Sequence, residues 1–220
     1  MDFTASSANL LNIKADSLIL MTGSQLQNSA KALDEYLDGA ISSLLKAGDF
    51  SGKASESTVM HIPGTDGKRI ILLGTDGAKT AQQQIKVIKA GAAALLRTPA
   101  KKAVWVGEGL AEDSEWQTGI IARSIQVANY KYVPLPKRAA KKVPAQKLKA
   151  LIFWVPSKAD VKAANAGLKY GAAVGNGMNA ARQLGDLPAN ICTPNYLSDQ
   201  AKALAKGQAK VTTTVLSEAQ

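Results

Sequence analysis

The sequence predicts an α/β fold: a mixed β-sheet flanked by helices, followed by a long helix and by the first helix and strand of a second unit. Three observations carry this. Short apolar runs ended by glycine alternate with longer segments whose apolar residues recur at helical spacing, so strands and helices take turns along the chain. Two of the runs are separated only by Pro63-Gly64-Thr65-Asp66-Gly67, a turn sequence that predicts an antiparallel hairpin and hence a mixed rather than all-parallel sheet. Residues 180–196 then interrupt the alternation with Gly185, Pro188, Thr193 and Pro194, the grammar of one helix stopping and another starting.

The elements follow in order. Residues 14–23 are a continuous apolar run, suited to a strand buried on both faces. Asn28 or Ser29 caps a helix on which Leu33, Leu37, Ile41, Leu44 and Leu45 recur, and Gly48 closes it. Residues 57–62 and 68–74 are the hairpin strands. Thr80 and Gln83 form a capping box for a helix to Arg97 with Ile85, Ile88, Ala92, Leu95 and Leu96 inward, and Pro99 bars its continuation. Residues 101–107 are a strand, and Ser114 with Gln117 repeats the capping-box pattern before a helix bearing Ile120, Ile121 and Ile125. Residues 130–135 are a short strand, 136–144 a basic, proline-containing loop, and 148–155 a further strand. Ser157 and Asp160 open a helix expected to reach Leu184 and stop at Gly185. Its glycines lower its intrinsic propensity by about 1 kcal/mol each. Close packing along Ala164, Gly167, Gly171 and Val174 or Gly175 is the compensation. After the junction, Thr193 caps a helix beginning at Pro194 and reaching about Lys206, and residues 210–216 are a strand. One helix and one strand are too little to make a domain.

Composition excludes several classes. The 220 residues are 46% hydrophobic and 20% charged, as in a globular chain rather than a disordered one. No apolar run approaches the ~18 residues of a membrane helix, and the first residues, with Asp2 and Asp16, do not read as a signal peptide. A cytoplasmic location with no membrane partner is the expectation. A single cysteine, Cys192, leaves no internal disulfide. The net charge of +10 is unevenly placed: between Glu115 and Asp160 there is no carboxylate, while Arg123, Lys131, Lys137, Arg138, Lys141, Lys142, Lys147, Lys149 and Lys158 supply nine positive charges. Such a block is either a solvated loop or a surface for nucleic-acid phosphates.

Chemistry-bearing patterns are sparse. His61 and Cys192 are the only histidine and cysteine, too few for a metal site of those residues, and His61 reads as a strand-end side chain. No serine lies in a G-x-S-x-G elbow. Gly64-Thr-Asp-Gly67 and Gly74-Thr-Asp-Gly77 are identical turns whose N–H groups could cradle phosphate, although such turns are also ordinary connections. Gly107-Glu-Gly109 lacks the third glycine of a dinucleotide fingerprint. From these residues alone the chain has no assigned catalytic, cofactor or metal residue.

The junction is more specific. Residues 176–197, with Asp186-Leu187-Pro188, Asn190 and Thr193-Pro194 at their centre, closely resemble the segment that enters the catalytic domain of leucyl (cytosol) aminopeptidases, the M17 metallopeptidase family, of the bacterial aminopeptidase A type. The resemblance implies a three-layer, macro-domain-like N-terminal domain over 1–156, a linker helix over 157–185 and the beginning of the catalytic domain over 186–220. It implies a parent enzyme that removes N-terminal amino acids from peptides with two divalent metal ions, Mn or Zn, held around an Asn-Thr-Asp-Ala-Glu-Gly-Arg motif. That motif does not occur here, so this segment is expected to bind neither metal, to be inactive alone and to serve assembly and access. A hexamer is implied for the parent. Some bacterial members bind DNA, for which Lys137, Arg138, Lys141, Lys142, Lys147 and Lys149 are the candidate residues, and the macro-like fold raises ADP-ribose as a further ligand to test.

Overall fold

The computed structural model describes residues 1–62, 65, 67–110, 113–132, 147–206 and 208–216. The chain separates into two compact units, Met1–Asn176 and Gly177–Gln220. The first is organised by a six-stranded sheet of order β1-β6-β5-β2-β4-β3. Its strands are β1 (Asp2–Ser6), β2 (Ser17–Thr22), β3 (Ser57–His61), β4 (Arg69–Gly74), β5 (Lys102–Val106) and β6 (Ala150–Trp154). All neighbours run parallel except β3, which pairs antiparallel with β4 through Val59↔Ile71. The expected hairpin and mixed sheet are therefore present. Pro63, Gly64 and Asp66 of its turn lie outside the described residues.

Alternation along the central strands sends side chains to opposite layers. Ile19, Met21, Ile71, Leu73, Trp105 and Phe153 pack with the helices α3 (Ala81–Arg97), α4 (Ser114–Ala128) and α5 (Val161–Asp186). Leu20, Ile70, Leu72 and Val106 pack on the other face with Phe50 and the helices α1 (Asn28–Tyr36) and α2 (Ala40–Ala47). A strand with both faces covered has no polar side to show, which is why residues 17–22 read as an unbroken apolar run.

Several expectations change for physical reasons. The single helix expected from Asn28 or Ser29 to Gly48 is two, because Asp38 and Gly39 take φ of 52° and 78°. The buried Asp34 carboxylate accepts from the N–H groups of Ile41 (2.8 Å) and Ser42 (3.0 Å) and from the Ser42 hydroxyl, capping α2 across the break. The apolar spacing survived because both halves face the same sheet. Gln27, rather than Asn28 or Ser29, stands at the N-cap of α1 and gives it no side-chain hydrogen bond. On α3 the Thr80–Gln83 capping box is present, but Ile85 and Leu96 are half-buried and Val87 and Gly91 are inside. At α4 the cap is Asp113, whose Oδ1 accepts from Trp116 N at 2.7 Å, one residue before the expected Ser114.

Residues 130–132 form no strand, and 133–135 lie outside the described residues. Strand β1 was not expected: it is an edge strand with only Phe3 and Ala5 turned to the core, legible once β6 is beside it. In α5 the glycine stripe is closely packed, as expected, and the structure gives α4 as its partner. A Cβ on Gly167 would stand 2.0 Å from Glu115 O, one on Gly171 2.0 Å from Gly119 O, and one on Gly175 2.6 Å from Gln126 Cβ. These glycines let two helix backbones touch where any side chain would hold them apart.

In the second unit α5 runs through Gly185 to Asp186, correcting the expected stop. A helix needs its αL glycine only where the chain turns away, and here the break falls just before Pro188, which cannot continue the hydrogen-bond ladder. Thr193 caps α6 (Pro194–Ala205) by accepting from Tyr196 N, with Pro194 in the first turn, as expected. Residues 211–216 are not a strand; no ladder partner is available to them among the described residues. None of the residues of α6 is buried. No helix among the described residues is long and apolar enough to cross a membrane.

Candidate functional site

In an open sheet of parallel strands, the ligand crevice lies beyond the carboxyl ends of the strands, where helices depart on both faces. Here α1 and α2 cover one face and α3 and α4 the other, so the crevice falls at the ends of β2, β4 and β5. A polar hollow of about 260 Å³ occupies that place, bordered by Thr22, Gly23, Ser24, Thr75, Asp76 and Glu108 among others. Both glycine-rich turns that follow apolar strands, Gly74-Thr-Asp-Gly77 and Gly107-Glu-Gly109, meet at it.

Several of the groups that could receive an anion are already in use. Asp76 Oδ2 accepts from Ser24 N at 2.7 Å. Glu108 Oε2 accepts from Ser29 N at 3.1 Å, in the first turn of α1, where a carboxylate complements both the free N–H groups and the positive end of the helix dipole. Within the first turn sequence, Thr75 N donates to Thr22 O and Asp76 N to Gly52 O. Three backbone segments interlock here: a Cβ on Gly23 would fall 2.0 Å from Asp76 Oδ1, one on Gly52 2.3 Å from Ser24 N and one on Gly74 2.0 Å from Lys53 O. The chain's own carboxylates thus stand where a phosphate would be cradled, and like charge would oppose one. The arrangement closes the sheet's carboxyl end; among the described residues that border it, the carboxylates accept from backbone N–H groups and no hydroxyl donates to them.

The other sequence candidates are scattered. His61 is exposed at the far end of edge strand β3, opposite Arg69, at the other end of the sheet from the crevice. In the sibling turn, Gly64 and Asp66 lie outside the described residues, while Gly67 N donates to Thr65 O. Cys192 is a half-exposed free thiol in the turn before α6, its N–H donating to Pro188 O. Lys147 and Lys149 are exposed beside the start of β6; Lys137, Arg138, Lys141 and Lys142 lie outside the described residues. Among the described residues no three His, Cys, Asp or Glu side chains are grouped so as to hold a metal ion. Among the described residues, then, no His, Cys, Asp or Glu cluster offers the donors of a two-metal centre. Sequence reasoning missed the pairing of Asp76 with Ser24 and of Glu108 with Ser29. The one available signal was an acidic residue inside each glycine-rich turn.

Comparison with known proteins shows which family shares this fold. Residues 18–135 match the N-terminal domain of the cytosol aminopeptidase family. Among curated relatives, the probable cytosol aminopeptidase of Alcanivorax borkumensis is 34% identical over 223 aligned residues, covering 100% of this chain and 44% of the relative. That of Ralstonia pickettii is 33% identical, covering 91% and 42%. The chain thus spans less than half the length of these relatives. Among solved structures, a variant of tomato leucine aminopeptidase superposes with a TM-score of 0.75 at 24% identity, covering 94% of this chain and 42% of that one. A bottromycin maturation enzyme in complex with Mn superposes at 0.61 and 18% identity, covering 88% and 36%. The six-stranded mixed sheet with helices on both faces is the fold shared with the leucine aminopeptidase, and the chain belongs to the cytosol aminopeptidase family, whose N-terminal domain it carries.

Proposed function

We propose that these residues are the N-terminal part of a metal-dependent leucyl aminopeptidase, serving assembly of the oligomer and access to a catalytic domain that follows in the longer protein. The observation that carries the reading is the family match over 18–135 in a chain that covers only 44% of a relative aligned across all of it. In this reading 1–156 is the macro-like domain, 157–185 the linker helix and 186–220 the entry to the catalytic domain. The longer protein holds two divalent ions, Mn or Zn, hydrolyses N-terminal residues from peptides in the cytoplasm and assembles as a hexamer; the Mn in a structural neighbour supports the metal class. The test is leucyl-peptide hydrolysis with Mn²⁺ or Zn²⁺ by this chain and by the longer protein. Turnover by the longer protein alone is expected, and turnover by the pure 220-residue chain overturns the reading.

A second reading rests on one observation, the carboxylate-free block carrying nine cations between Glu115 and Asp160. In it Lys137, Arg138, Lys141, Lys142, Lys147 and Lys149 contact DNA phosphates. Duplex binding that weakens with salt, and less steeply once Lys141 and Lys142 are glutamate, is its signature.

A further inference from the structure

Helices α4 and α5 run side by side in the same direction, since Gly167 lies against Glu115, Gly171 against Gly119 and Gly175 against Gln126. Neither helix has a side chain where Gly119 and Gly171 meet. Large side chains stand to either side of that crossing: Trp116 and Ile120 on α4, Tyr170 and Val174 on α5. Each pair is four residues apart and so shares one face of its helix. Glycine between large neighbours leaves a hollow of about 370 Å³ along the two helices. Tyr170 is 72% exposed at its border, while Trp116, Ile120 and Val174 are half-buried. All of these residues belong to the first compact unit.

The hollow has opposite charges at its two ends. Asp113 and Glu115 border it at the start of α4, and Arg123 borders it eight residues beyond Glu115, about 12 Å along the helix. Asp113 is engaged as the cap of α4, which leaves Glu115, exposed, and Arg123, half-exposed, as the charges offered to a neighbour. Lys162 and Lys169 of α5 are exposed on its flank, outside the hollow's border. Glu115 and Arg123 stand four residues to either side of Gly119. A two-fold axis through the glycine crossing therefore sets Glu115 of each copy opposite Arg123 of the other, the reciprocity of an isologous contact. The same rotation brings the two Tyr170 rings together beside the axis. Copies laid parallel would instead place like charges face to face.

We propose that the α4–α5 hollow is a self-association surface whose occupant is the same hollow of a second copy of this chain, laid antiparallel across it. Its centre is aromatic and its rim charged, the composition of a specific contact: Trp, Tyr and Arg carry most of the energy where they meet at the middle of an interface. The glycine crossing serves this directly, because it lets the facing side chains sink between the helices. The proposal goes beyond assembly of the longer protein, since it names the residues in contact and assigns pairing to the first unit of this chain alone.

The test is sedimentation of the 220-residue chain over a series of concentrations, with thermal unfolding of every variant as the check on folding. Five variants are compared with the unaltered chain: Glu115→Arg, Arg123→Glu, the two together, Tyr170→Ala, and Lys86→Glu on α3 as control. The unaltered chain is expected to pass from monomer to dimer as its concentration rises. Each single charge reversal is expected to weaken the dimer about tenfold, the size of effect that two exposed ion pairs can carry. The double exchange restores opposite charges across the two-fold axis and is expected to recover the affinity, which a loss of fold or a change of net charge would not do. Tyr170→Ala is expected to weaken association at least as much as a single reversal, and Lys86→Glu to leave it unchanged. A monomer at every concentration overturns the proposal. So does a double exchange no tighter than the single reversals, or a dimer indifferent to Tyr170→Ala.

Discussion

At the scale of single residues, carboxylates in this chain serve the backbone. Asp16 is held below its ordinary carboxylate range chiefly by the N–H of Lys102; partial burial opposes this, and the N–H of Lys101 with the charges of Lys101 and Arg69 adds to it. Glu56 is lowered in the same way by the Ser51 hydroxyl, opposed by desolvation and helped by the N–H groups of Ser51, Lys53 and Gly52. A folded value below the unfolded one makes the contribution fully present above the unfolded value of about 4 and lost as pH falls through the folded one. Asp16→Asn, which keeps an acceptor and loses the charge, is therefore expected to show a shallower loss of thermal stability from neutral pH into acid. Coincident profiles would show that Asp16 contributes nothing. Both groups are largely exposed, so the effect is a change of slope rather than a collapse. None of this was legible in the sequence, where Asp16 is one carboxylate before an apolar run and its two donors are 85 and 86 residues away.

At the scale of elements, the α4–α5 pair is the interface most exposed to substitution. Gly171→Ala puts a Cβ against the carbonyl oxygen of Gly119, a backbone atom that cannot swing aside. A loss of about 2–3 kcal/mol, or roughly 5–10 °C in Tm, is expected from overpacking in a chain of this size. Gly177→Ala, in the same helix but exposed and with nothing beyond the adjoining helix backbone within 4 Å of an added Cβ, is expected to gain about 0.5–1 kcal/mol from helix propensity and reduced unfolded-state freedom. Equal effects at the two positions would refute the packing explanation, and thermal unfolding of the two variants measures both. The sequence anticipated this stripe because its spacing is helical and alanine-rich. It did not anticipate that Gly185 is interior to the helix while Gly39 breaks one, since glycine permits a left-handed turn wherever it stands and only the surrounding packing asks for it.

At the scale of the molecule, burial divides the chain. Strands β2, β4 and β5 are almost wholly enclosed, whereas α6 buries no residue and leaves Leu197 and Leu204 exposed, with Val211, Val215 and Leu216 beyond it. Amide exchange is expected to be slowest in those strands and faster by orders of magnitude in α6, because opening a segment with little buried apolar surface costs little. In the longer protein of the proposed function, the α6 amides should slow as the following domain covers them. Protection in α6 equal to that of the sheet in the isolated chain would contradict the division.

The sequence by itself determined the fold class, the order of most elements and the family, because each is written locally: in apolar period, in Thr80–Gln83 and Thr193–Pro194 as helix starts, and in the stretch around Pro188. Only the tertiary structure decided what lies beside what. It paired β1 with β6, filled the carboxyl-end crevice with Asp76 and Glu108, and aligned Lys101 and Lys102 with Lys149 across a gap of nearly fifty residues. Those neighbours are set by strand register and sheet order, which depend on how whole faces are buried and leave no mark at any single position.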